Sequence, residues 1–163
     1  MNTGMLWFTI RIQSRIFRLE RKNFWMEFKF TFDDKEYSLR EDNLEYFVND
    51  EVNPINNIDE KKIIDILNNA ENVEFSKAFF DLPCENCKEG VSEKKKFFDF
   101  IGFNFYIYTK DNEYVVSTLD KEYEGLSFNR LQKSGKINNS YIVIINICKH
   151  CGNYSIEVEE FEV

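Results

Sequence analysis

The chain has 163 residues, 43% of them hydrophobic and 17% aromatic, and a formal net charge of −8. That length suits one domain with a real core and is short for two, and the apolar fraction excludes wholesale disorder. No apolar run approaches the roughly 18 residues of a membrane-spanning helix, and the negative balance disfavours nucleic acid and anionic membranes, which are bound chiefly through Lys and Arg.

The charge is uneven. Residues 1–25 hold five basic residues (Arg11, Arg15, Arg18, Arg21, Lys22), one acid (Glu20) and both tryptophans, which leaves a net −12 on residues 26–163. The segment fails as a secretory signal, because its apolar part is short, arginines follow it and no small-residue cleavage site appears. As a basic amphipathic helix it would place Leu6, Ile10 and Phe17 loosely on one side. A third reading is a translated leader: Glu20-Arg21-Lys22 can be encoded by purines alone and lie nine nucleotides upstream of Met26, the placement of a bacterial ribosome-binding site. The expectation is a non-native leader or a basic extension over 1–25, and a single domain over 26–163.

From Met26 the residues alternate, with Met26, Phe28, Phe30 and Phe32 against Glu27, Lys29 and Thr31, the period of a half-buried strand. Asp33-Asp34 mark a turn into a second strand near Tyr37 to Leu39. The polar stretch from there to about Asn57, with Pro54, reads mostly as loop. "NIDEKKIIDILNNAEN" reads as a helix capped by Asp59, with Ile58 and Ile63 placed as a hydrophobic staple and Ile63, Leu67 and Ala70 turned inward. A strand then leads into Cys84.

"SEKKKFFDFIGF" suits a short helix capped by Ser92, with Phe97, Phe98 and Ile101 inward and Lys94-Lys95-Lys96 on a solvated face. "FNFYIYTK" and "EYVVSTL" read as strands joined at Asp111-Asn112. A short helix stopping at Gly135 follows. The closing "SYIVIINICKHCGNYSIEVEEFEV" reads as a hairpin with Tyr154, Ile156 and Val158 on one face and Ser155, Glu157 and Glu159 on the other. The expected fold class is α+β: an antiparallel, sheet-dominated single domain with two or three short helices and a knuckle-bearing C-terminal hairpin.

The chemistry lies in two C-x-x-C pairs, Cys84-Glu85-Asn86-Cys87 and Cys148-Lys149-His150-Cys151. Two cysteines three positions apart supply two ligands from one tight turn, whose backbone amides aim at the thiolates. Two such turns complete a tetrahedron around Zn²⁺. Gly152 follows the second pair directly, while in the first the glycine is displaced to Gly90. Paired cysteines without a signal peptide point to a reducing compartment, the cytoplasm, and to a metal rather than disulfides.

The knuckles and the C-terminal hairpin resemble those of zinc-ribbon and treble-clef modules, which implies one structural zinc. The likeness covers about a fifth of the chain, and 60 residues (88–147) separate the pairs where a compact ribbon has about 15–20. His150, the only histidine, lies between two ligands and is expected to point outward as a bystander. The frequent Asn, Lys and Ile suggest an AT-rich genome, and the chain resembles small proteins of low-GC Gram-positive bacteria that carry a domain-of-unknown-function label.

Catalysis finds little support. A closed four-sulfur site leaves no open coordination position, the one histidine sits within the metal turn so no obvious Ser-His or Cys-His pair stands out, and no P-loop, G-x-S-x-G or H-E-x-x-H is present. Three classes remain. The first is an acidic protein-interaction module with structural zinc, monomeric or weakly dimeric, for which Tyr106, Tyr108, Tyr114 and Tyr123 are candidate contacts, though core packing is the commoner fate of strand tyrosines. The second is a nucleic-acid-associated zinc-ribbon protein, opposed by the charge. The third is a thiol-disulfide protein, opposed by the position of Cys148 and Cys151 between two strands rather than at a helix start.

Overall fold

The computed structural model describes residues 26–162. The expectation of a leader over 1–25 falls outside the described residues.

Strands β1 (Phe28–Phe32) and β2 (Lys35–Leu39) form an antiparallel hairpin. Its turn residues Asp33 and Asp34 both have positive φ, 46° and 61°, the two-residue geometry whose twist matches that of paired strands. Phe28, Phe30 and Phe32 alternate with exposed Lys29 and Thr31, as the period of two requires.

The other sheet has six strands: β3 (Leu44–Val48), β4 (Ser76–Phe80), β5 (Phe98–Lys110), β6 (Glu113–Ser117), β7 (Asn139–Cys148) and β8 (Tyr154–Glu160). Their order is β3-β8-β7-β5-β4, and β6 pairs with the far half of β5. All neighbours are antiparallel except β3 and β8. Asp111 and Asn112, at φ 50° and 63°, turn β5 into β6.

One sheet face carries the main core. Tyr141, Val143, Ile145 and Ile147 of β7 stand beside Tyr154, Ile156 and Val158 of β8 and Ile101, Phe105 and Ile107 of β5, all buried. Helix α1 (Glu60–Asn69) covers this face with Ile63, Ile64, Ile66 and Leu67. Asp59 caps it by accepting the Lys62 amide at 2.8 Å. Four buried side chains at roughly 1.5–3 kcal/mol each outweigh a cap of about 1 kcal/mol, so packing holds α1 in place. On the opposite face, helix α2 (Phe128–Lys133) brings Leu131 against Tyr108, Val116 and Ile137.

The sheet-dominated α+β class and the two helices match the sequence reading, and two local expectations change. The stretch read as loop to Asn57 contains β3, a strand whose partner lies about 110 residues away, so no local pattern announces it. The Ser92-capped helix does not form. Lys94 takes φ 55°, and Phe98 to Ile101 belong to β5, pairing with Phe80–Lys77 on one side and, at Phe100 and Ile101, with Cys148 and Ile147 on the other. Pairing on both edges outweighs helix propensity there, and a Cβ on Gly102 would come within 3.3 Å of Ala78. Of the four tyrosines named as candidate contacts, Tyr108 is buried and Tyr106, Tyr114 and Tyr123 are half-buried. Tyr108 is buried with its hydroxyl 3.3 Å from that of Tyr123, Tyr114 bonds to Asp120, and the Tyr106 ring lies 5.3 Å from that of Phe161.

Candidate metal centre

The first cysteine pair follows β4 and the second joins β7 to β8, so the antiparallel frame of β4, β5 and β7 brings both to one end of the sheet. Phe100 of β5 is the register partner of Cys148, and two residues earlier Phe98 is that of Phe80.

Each knuckle closes on itself. The Lys88 amide donates to Cys84 O at 3.0 Å and the Gly152 amide to Cys148 O at 2.9 Å. The residue after each pair takes the left-handed conformation, Gly152 at φ 80° and Lys88 at φ 53°. Within each turn two amides point at the first sulfur: those of Asn86 and Cys87 at Cys84, those of His150 and Cys151 at Cys148.

The four Sγ atoms of Cys84, Cys87, Cys148 and Cys151 lie within 4.8 Å of one another. Across the knuckles, Cys84 is 3.6 Å from Cys151 and Cys87 is 3.7 Å from Cys148. Four sulfurs at 2.3 Å from a tetrahedral ion stand about 3.8 Å apart, so the cluster has the dimensions such an ion needs. The cross-knuckle separations are far beyond a disulfide bond of about 2.05 Å. These four cysteines could hold a metal ion.

Three of the four thiols have shifted ionisation, each for a different balance of causes. Burial and the neighbouring sulfurs push the Cys84 thiol well up, and push Cys148 up to about 11. Burial also opposes ionisation of Cys151, but the Asn153 amide, the Asn86 side chain and adjacent sulfurs more than offset it, and its pKa is lowered. The thiols thus ionise unequally by themselves, whereas a divalent cation binds thiolates and removes the mutual repulsion.

The N-terminal hairpin clamps the second knuckle. Lys35 Nζ donates to the carbonyls of Lys149 (3.2 Å) and His150 (2.9 Å), and the Tyr37 hydroxyl donates to Lys149 O at 2.8 Å. Asn43 Nδ2 donates to Gly152 O at 3.0 Å, and Lys149 Nζ reaches Asp33 at 2.7 Å. His150 is exposed, 3.7 Å from the Glu89 carboxylate, and borders a pocket of about 220 Å³ with Lys95 and Asp99.

Sequence reasoning did not single out Glu45. Leu44 pairs with Tyr154 and Tyr46 with Ser155, so Glu45 is the extra residue of a β-bulge in β3. Its carboxylate lies 3.4 Å from Cys84 Sγ. Only the parallel pairing creates that bulge, so no pattern in "NLEYFV" carries a signal for it.

Fold and site together define a single-domain α+β protein with a closed four-cysteine cluster at one end of its main sheet. Residues 28–163 match the DUF3785 family, described as "Protein of unknown function", and the chain belongs to it. No curated protein and no solved structure is detectably similar to the chain. Among the described residues, no helix is long and apolar enough to cross a membrane.

Proposed function

We propose that the protein is an acidic protein-interaction module whose fold is stapled by one structural Zn²⁺ held by Cys84, Cys87, Cys148 and Cys151. The observation that carries this reading is the four-sulfur cluster, with every sulfur within 4.8 Å of the rest. An all-thiolate set selects soft or borderline ions, and zinc is the ordinary occupant of a closed tetrahedron of this kind. Such a centre keeps no position for water or substrate, which supports a structural role over catalysis.

The net charge of −8 supports a protein partner over nucleic acid. A thiol-disulfide role is less well supported, because the two dithiols meet as one cluster and neither stands alone at a helix start. The test is elemental analysis of protein purified without added metal, with a thiol count after unfolding. One zinc per chain and four free thiols is the expected result; no metal with two disulfides would overturn it. Cys148→Ser should lose the metal and unfold or aggregate.

A further inference from the structure

The sheet face opposite α1 holds a trough of about 250 Å³ that crosses the strands near the metal centre. Its apolar side is built by Phe80 and Phe100, with rings 5.0 Å apart and edge-to-face, by Tyr46 on β3, and by Leu82 and Pro83 on the segment leading to Cys84, while Asn146 of β7 and Ser155 of β8 make part of its floor polar. Leu82 is 72% exposed, Tyr46 45% and Phe80 37%, so three large side chains lie open to solvent around one depression. Four carboxylates border it, those of Glu45, Asp81, Glu85 and Glu157, and no Lys or Arg does. Among the described residues, none of the four is in a salt bridge.

Two details of the fold build this arrangement. The bulge at Glu45 lets consecutive residues, Glu45 and Tyr46, both line the trough, where a regular strand would point one of them away. The Tyr46 hydroxyl donates to Glu157 Oε1 at 2.8 Å and holds that carboxylate across from β3. The wall Asp81–Glu85 is anchored at Cys84, so the cysteine cluster fixes its position.

We infer that this trough is the docking site for an arginine-bearing apolar segment of a partner protein. The inference deepens the reading above, and rests on it for the metal that fixes the wall. The volume is below the about 300–1,000 Å³ of small-molecule pockets, and takes one large side chain with its neighbours. Arginine fits the chemistry best. Its planar guanidinium stacks on Tyr or Phe and donates to carboxylates at its edges, while flanking apolar residues cover Leu82 and Phe80. Arginine is also among the residues that anchor interfaces.

The probe is a fluorescein-labelled hexapeptide of alternating leucine and arginine, titrated against the full chain by anisotropy at low and high salt, with zinc content measured on the same samples. Saturable binding that weakens with salt is expected, with no binding of the counterpart carrying glutamate for arginine. Glu157→Gln and the exposed Asp81→Asn should each weaken binding about tenfold with zinc content and circular dichroism unchanged. Failure of the peptide to bind zinc-loaded protein, equal binding of the glutamate counterpart, competition by spermidine as strong as by unlabelled peptide, or indifference to both substitutions would overturn the docking site. Absence of zinc from the protein would overturn the metal reading, separately from the peptide result.

Discussion

The two cysteine knuckles differ at a single backbone position that matters. Gly152 meets the left-handed requirement after the second pair at no steric cost, while Lys88 meets it after the first with a Cβ. A non-glycine residue there costs about 1–2 kcal/mol, and glycine returns roughly 0.5–1 kcal/mol of that through unfolded-state freedom. Lys88→Gly should therefore raise the unfolding free energy of the metal-loaded protein by about 0.5–1 kcal/mol, read by urea denaturation. Thr109 offers a second opportunity. Its hydroxyl is enclosed and has no hydrogen-bond partner among the described residues. Thr109→Val keeps the shape and removes the stranded donor, so stability should rise by about 1 kcal/mol, seen as a higher melting temperature. The displaced glycine of the first knuckle was legible in the sequence, but the strain at Lys88 was not, because residue identity does not reveal φ.

Among the elements, the parallel pair β3–β8 depends on a tie at its far end. Asp50 accepts the amides of Val52 (2.9 Å) and Asn53 (2.7 Å) through one oxygen and that of Glu160 (2.9 Å) through the other. The Asn53 and Glu160 amides hold its carboxyl below the usual value of 3.8. A depressed native pKa means the stabilisation is complete above the unfolded value near 3.8 and is lost as pH falls through the lower native one. The stability difference between the wild type and Asp50→Asn should therefore be largest near neutral pH and close towards zero under acid, measured by denaturant melts across that range. Helix α1 was legible because its cap and its apolar spacing lie within one short window. β3 was not, since its partner lies in the last strand of the chain.

Across the molecule, three distant segments meet at the cysteine cluster: the loop after β4, the β7–β8 turn, and the β1–β2 hairpin that grips the Lys149 and His150 carbonyls. A metal there would close a long loop and bind the folded chain more tightly than the unfolded one, so the difference in binding energy would add to stability. At 100 times its dissociation constant it contributes about 2.7 kcal/mol. On the zinc reading, a strong chelator should lower the melting temperature, and added zinc should raise it again with the logarithm of its free concentration. A melting temperature unmoved by chelation, with metal loss verified, would remove the staple from the account of this fold.

By itself, the sequence determined the two C-x-x-C knuckles, the tight turns at Asp33-Asp34 and Asp111-Asn112, the capped helix α1 and the final hairpin. Each of these rests on residues close together in the chain, where spacing and side-chain chemistry speak directly. Tertiary structure decided the rest. It made a strand of Phe98 to Ile101 by pairing both of its edges, buried Tyr108 by covering the second sheet face with α2, and set β3 parallel to β8, so that Glu45 bulges toward Cys84. Those outcomes depend on contacts between segments tens of residues apart, whose gain in pairing and burial exceeds the local preference of either segment alone.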